Sequence, residues 1–201
     1  MIKNVAKQLI IAASMLCFAG IAAAESPDEL VKRTAEDVLA IVKNDKDIQA
    51  GNQQKIFELA EEKILPNFNF DRVSRLVLGK NWTNATPDQK AAFQAEFRTL
   101  LLRTYATALS KYKNQVIEYK PLRLADGANS ATVKTIILQP GGQPISVDYA
   151  LEKQTDAWKV YDIVIESVSL VTNYRGQFTQ EIRQNGIDSL IKKLADKNKA
   201  A

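Results

Sequence analysis

Helices, then an antiparallel sheet, then helices again: the order of hydrophobic periods predicts an α+β protein. Apolar residues recur every three or four positions up to Tyr112, and again from Tyr174 onward. Between Gln115 and Ser167 the period drops to two, and the turn-forming segments "ADGAN", "PGGQ" and "QTDA" separate the alternating runs. No internal repeat, low-complexity tract or long linker interrupts the chain, so the helical and sheet parts are expected to pack on one another.

Ser26-Pro27-Asp28-Glu29 has the grammar of a helix start, with a capping serine, proline at the first helical position and a glutamate to close a capping box. Val31, Ala35, Val38 and Val42 mark its apolar face. "NDKDIQAGNQQ" reads as a polar break, followed by a helix carrying Ile56, Leu59, Ala60 and Ile64 that stops before Pro66. A short helix in "FDRVSRLVLG" is ended by Gly79. Thr86-Pro87-Asp88-Gln89 repeats the capping grammar and opens the longest helix, with Phe93, Phe97, Leu100, Leu101, Tyr105, Ala108 and Tyr112 on one stripe. That stripe fits an ordinary packed core or the wall of a ligand cavity.

Four strands are expected in "QVIEYKPLRL", "SATVKTIILQ", "PISVDYALEK" and "WKVYDIVIES". The last carries a puzzle. Strict alternation sends Trp158, Val160 and Val164 to one side and Tyr161, Ile163 and Ile165 to the other, so both faces read as apolar and both need a cover. Helices before and after the sheet can supply it on the concave side. A helix from Asn173 to Asn185 stops at Gly186, and Ile187, Leu190, Ile191 and Leu194 give a final one.

The first residues stand apart. Lys3 and Lys7, the apolar run "LIIAASMLCFAGIA" and Ala22-Ala23-Ala24 have the layout of a secretory leader cleaved after Ala24. Leu16 ahead of Cys17 argues against lipidation, which needs a small residue there. The mature unit then spans residues 25–201, with 25–114 mostly helical, 115–171 the sheet and 172–201 the last helices. Cys17 is the chain's single cysteine and there is no histidine. The mature chain therefore has no disulfide, no Cys or His nucleophile, no Ser-His-Asp triad, and no histidine or thiolate metal site.

With 27 basic and 23 acidic residues the net charge is +4, and loss of Lys3 and Lys7 brings it closer to balance. Basic blocks interleaved with aromatics are missing, which leaves nucleic-acid binding without an electrostatic footprint. Gly79-Lys80 lacks the earlier glycine of a phosphate-binding loop, and Gly141-Gly142 reads as a hairpin turn. Asp71, Arg72 and Arg75 read as a capping aspartate and a solvated basic face. Asp162 shares a face with Val160 and Val164 by alternation; it fits a structural hydrogen-bonding role, or the acid of a curved-sheet enzyme.

"FNFDRVSRLVLGKNWTNATPDQKAAFQAEFRTLLLRTYATAL", "VKTIILQPGGQPISVDYALE", "WKVYDIVIESVSLVTNYRGQF" and "GIDSLIKKL", in that order, resemble successive signatures of the MlaC, or toluene-tolerance, family. The resemblance covers nearly all of the mature chain. It implies a curved NTF2-like sheet packed with a helical subdomain around an apolar cavity, and a monomeric periplasmic carrier that holds phospholipid as cargo, without a cofactor, and maintains outer-membrane lipid asymmetry. The implied partners are an outer-membrane MlaA-type lipoprotein with its porin and an inner-membrane ABC transporter with an MCE-domain subunit. A periplasmic NTF2-like enzyme using Asp162, and a chaperone or adaptor using the aromatic stripe, are the competing readings.

The wide apolar faces of the sheet and the long helix place the cavity between them, with Leu76, Phe97, Leu101, Tyr105, Val133, Val147, Tyr149, Leu151, Val160 and Val164 as candidate lining residues. In the other strand register Ile136, Tyr161, Ile163 and Ile165 replace their neighbours. Arg72, Arg75, Lys80, Lys111 and Lys113 are candidates for contacting acidic partners or lipid phosphates.

Overall fold

In the computed structural model, which describes residues 25–112, 114–155 and 157–200, the chain opens with α1 (Pro27–Asn44). Its capping box forms as expected: Glu29 N–H donates to Ser26 Oγ, and Ser26 N–H donates to Glu29 Oε2 at 2.9 Å. The expected leader and Lys113 lie outside the described residues. The segment read as a polar break holds a short helix, α2 (Lys46–Gln49), started by the Asp45 side chain, and buries Ile48. One apolar residue per turn is too little for a periodic signal, yet enough to pin a four-residue helix.

Helix α3 (Gln53–Leu59) runs into a π turn at Ala60–Ile64 and a 3-10 turn at Leu65–Asn67 that takes up Pro66. Helix α4 (Phe70–Leu78) is capped by Asn69, whose Oδ1 accepts from Arg72 N–H at 3.0 Å; Asp71 is not the cap. Gly79 ends it at φ 54°, ψ −126°, a backbone region that side chains with a Cβ avoid. A further short helix, α5 (Lys80–Asn84), follows, and then α6 (Pro87–Ser110) with its own Thr86/Gln89 capping box.

The strands are β1 (Val116–Tyr119), β2 (Ser130–Leu138), β3 (Ile145–Gln154), β4 (Ala157–Ile165) and the two-residue β5 (Val168–Ser169). They form an open antiparallel meander in chain order. Helices α7 (Leu170–Asn185), capped by Ser169 ahead of the expected Asn173, and α8 (Ile187–Ala200) close the chain.

Strict alternation fails in β4. Leu151 faces Val160 while Ala150 faces Asp162, so Tyr161 is an extra residue, a β-bulge. After a bulge the parity of the strand inverts. Trp158, Val160, Ile163 and Ile165 therefore share one face with Val147, Tyr149 and Leu151, while Lys159, Asp162 and Val164 share the other with Asp148, Ala150 and Glu152. This corrects the expectation that Val164 and Asp162 sit beside Val160. It also resolves the two-faced strand: β4 has one continuous apolar face, and Tyr161 leaves the sheet to pack against the helices.

Three separate clusters make up the core, whereas a domain of this size ordinarily has one contiguous core. The helical cluster packs Val73, Val77 and Leu78 of α4 and Leu190 and Leu194 of α8 around Phe93 and Phe97 of α6 and Tyr174 and Phe178 of α7, whose rings meet edge to face, stacked or tilted at 5.2 to 5.8 Å. The sheet cluster packs Leu30 and Val31 of α1 on Ala131, Val133, Leu151, Trp158 and Val160. The third joins α1, α2 and α3 through Val38, Val42, Ile48, Ile56 and Leu59.

Candidate functional site

Two long helices and one bulged strand tie the clusters together. Helix α1 contributes Leu30 and Val31 to the sheet cluster and Val38 and Val42 to the third. Helix α6 contributes Phe93, Phe97 and Leu100 to the helical cluster, and its far end, Leu109 with the following Tyr112, packs on the third. Tyr161 returns from the helical cluster to β4. The result is a closed frame of sheet, α1, α6 and α4. Half-buried apolar side chains stand at the cluster margins: Phe57 of α3, Ile64 and Phe68 in the turns before α4, Leu101 and Leu109 of α6 with the following Tyr112, and Tyr119, Tyr149 and Ile163 of the sheet.

Along the apolar face of the sheet, burial is graded. Near the ends of β2 and β3 that meet α1, Val133, Leu151 and Val160 are sealed, Leu151 at 0 % exposure. Toward the β4–β5 turn, Ile137, Ile145, Ile163 and Ile165 are half-exposed, and Val168, paired with Ile165, is 54 % exposed. The face is thus closed at one end and open at the other.

The sequence-derived candidates divide accordingly. Val133, Val147, Tyr149, Leu151 and Val160 share the apolar sheet face. Phe97, 1 % exposed, is a central ring of the helical cluster, and Leu76 and Leu101 pack on that cluster's margin. Tyr105 is half-buried on α6, near Tyr174 of α7. Val164 lies on the opposite face of the sheet. Phe57, Phe68, Tyr119 and Ile163 were not among the candidates. Ile163 was the alternative-register choice, and nothing local in "VYDIV" marks the bulge that selects it.

Polar groups on the apolar face are few and satisfied. Thr135, 1 % exposed, donates to the Val147 carbonyl at 2.8 Å and lies beside Tyr149. Burial pushes the Tyr149 phenol up to about 12, with Tyr119 adding to the effect and Thr135 opposing it. Burial likewise raises Tyr105 to about 12, helped by Tyr174. Such groups stay neutral and suit an apolar ligand.

Asp162 serves the fold. Its Oδ2 accepts from Ser169 Oγ at 2.6 Å and its Oδ1 from Val171 N–H at 3.1 Å, so it fastens the start of α7 to β4. Arg72 is no solvated cation: its guanidinium pairs with Glu152 on β3 and lies 4.0 Å over the Tyr161 ring. Asn69 Nδ2 donates to the same Glu152 at 2.5 Å. Arg75 pairs with Asp71 at 2.8 Å. A surface depression beside α1 and α2 is lined by Asp45, Asp47 and Lys55, whose charges pair with one another at 2.9 and 2.7 Å.

Residues 32–196 match the protein family described as MlaC protein. The chain belongs to the MlaC family. Among its relatives, the toluene tolerance protein Ttg2D of Pseudomonas putida is 28 % identical over 167 residues, covering 83 % of this chain and 77 % of the relative. The intermembrane phospholipid transport system binding protein MlaC of Haemophilus influenzae is 29 % identical over 179 residues, covering 84 % and 80 %. In structure the chain is similar to the phospholipid-binding protein of Ralstonia solanacearum, solved in complex with a phospholipid, with TM-score 0.81, 38 % identity and coverage of 86 % of this chain and 97 % of that one. The α+β arrangement, with an open antiparallel sheet and flanking helices, is thereby that of the MlaC family.

Proposed function

We propose that this MlaC-family chain is a periplasmic phospholipid-binding transport protein and not an enzyme, and that it holds acyl chains within the frame of sheet, α1, α6 and α4. The observation that carries the reading is the divided core: three clusters joined in a ring, with half-buried apolar side chains at their margins and an apolar sheet face closed at one end. The likeness to a protein solved with bound phospholipid, at 38 % identity, supports it. Leu101, Tyr105, Tyr149 and Ile163 are the foremost lining candidates, because they combine apolar surface with partial exposure. Leu76 and Val147 stand behind them, and Val164 is a weaker candidate because it faces away.

The energetics favour a carrier. Two acyl chains hold on the order of 30 methylenes, and at ~0.8 kcal/mol each their exposure to water would cost roughly 24 kcal/mol. A site that replaces the membrane interior need only match it, and then transfer is close to thermoneutral. Without a nucleotide motif, direction comes from partners or lipid gradients. We place the outer-membrane lipoprotein with its porin and the MCE-bearing ABC transporter as those partners, with the leader over residues 1–24 directing export.

Native mass spectrometry of the exported protein tests this directly. Phospholipid is expected to co-purify, and Leu101→Glu is expected to yield a folded, lipid-poor protein, because an unpaired carboxylate in an apolar site recruits water. Wild-type protein that never carries phospholipid would remove the reading.

A further inference from the structure

Helix α5 fully buries none of its residues, and its Trp82 is half-buried against the helical cluster. Two cations from the neighbouring helices flank this indole: Arg75 of α4 at 5.9 Å from the ring centre and Lys90 of α6 at 5.4 Å. Lys80 is exposed on α5 itself, and exposed Arg175 of α7 donates to the Leu76 carbonyl in the last turn of α4. Among the described residues only Arg75 of these four has a carboxylate partner, Asp71; the other acids on these elements are Asp88 and Glu96 of α6 and Glu181 of α7, which pairs with Lys193.

We propose that Trp82, with Lys80, Lys90, Arg75 and Arg175, is a docking patch for an anionic phospholipid surface. The inference rests on the carrier reading, since partners seated in membranes bring a carrier up to the lipid surface around them, but it concerns a surface outside the apolar frame. A tryptophan beside flexible lysines is the composition of a membrane–water boundary: the ring settles at headgroup depth while each cation gains from the negative surface. Tryptophan and arginine also suit protein interfaces, but lysine is depleted there, and the two lysines weigh toward the lipid surface. A five-residue helix also offers a small contact rather than the broad area of a stable complex.

Co-sedimentation with vesicles of phosphatidylcholine alone, or containing phosphatidylglycerol, tests the patch, with bound phospholipid measured by mass spectrometry on the same preparations. Wild-type protein is expected to bind only the anionic vesicles and to release as salt rises. Lys80→Glu with Lys90→Glu, at positions that leave the core intact, is expected to weaken that binding about tenfold or more. Trp82→Ala should weaken it at every salt concentration. Lys46→Glu with Lys153→Glu, on α2 and β3, should bind as wild type. Lipid-loaded wild-type protein that ignores anionic vesicles, or a Lys80/Lys90 variant that binds them undiminished, would overturn the patch and leave the carrier reading standing. Vesicle binding by wild-type protein that contains no phospholipid would instead sink the carrier reading.

Discussion

Asp162 shows how one side chain separates a fold role from a chemical one. Both carboxylate oxygens are taken, one by the Ser169 hydroxyl and one by the Val171 amide, so substitution should register as stability. Asp162→Ala is expected to lower unfolding free energy by about 1–2 kcal/mol, and Asp162→Asn by less, since one oxygen still accepts from Val171. Denaturant titration reads the difference, and lipid content per folded molecule should not change. Tyr149 gives a second test at this scale, in alkali. Its folded value of about 12 lies above the 10.0 of a free phenol, so between those values the unfolded chain loses a proton that the folded one keeps. Stability contributed by the buried phenol is present below pH 10 and falls as pH rises toward 12. In Tyr149→Phe, stability followed by denaturant across this window should fall less steeply. A tyrosinate signal that appears near pH 10 for every tyrosine in the folded protein would contradict the burial of this ring.

At the scale of elements, the docking of α4 on the sheet depends on one acid with two donors. Glu152 accepts from Asn69, which caps α4, and pairs with Arg72, which lies on the bulged Tyr161. The pair is partly exposed, Arg72 at 39 % and Glu152 at 16 %, so its net value is well below that of a buried bridge. Arg72→Gln and Glu152→Gln are each expected to cost about 1–2 kcal/mol, with a coupling near 1 kcal/mol in the double variant. Additive effects would show that the two side chains do not support one another. Reversing charge at Arg72 therefore disturbs the fold and is a poor probe of partner docking. Elements with strong local grammar were legible in the sequence: both capping boxes, the Gly79 and Gly186 stops and the hairpin turns announce themselves in two to four residues. The bulge was not, because no glycine or proline marks "VYDIV"; the helical cluster and Arg72 draw Tyr161 out of register, and those contacts are distant in sequence. The β4–β5 turn was hidden for a similar reason, since Glu166 and Ser167 adopt φ of 48° and 67° where Asn-Gly is the usual choice. Glu166 is held there by bonds to Ser146: its amide donates to the Ser146 carbonyl and its carboxylate accepts from the Ser146 amide. One slipped register was enough to move Val164 and Asp162 to the wrong face of the proposed site.

The whole molecule is stabilised by three clusters that share helices but not a centre. A chain with a single cysteine forms no internal disulfide and has only packing to hold that frame, and on the proposed reading an acyl chain would add apolar contact where the clusters do not meet. Ligand and fold should therefore be linked. A ligand present at about a thousand times its dissociation constant adds roughly 4 kcal/mol to the folded state, which for a domain of this size raises the melting temperature by about 10 °C. Protein stripped of lipid by extraction under denaturant and refolded is expected to melt lower by that order and to bind an apolar dye such as ANS at the exposed faces. Returning two-chain phospholipid should restore the melting temperature and displace the dye, while a single-chain lysolipid, with about half the methylenes, should do so less completely. Identical melting curves for stripped and refilled protein, with no dye bound to either, would mean that the three clusters already fill the frame, and the acyl chains would have to be held elsewhere on the molecule.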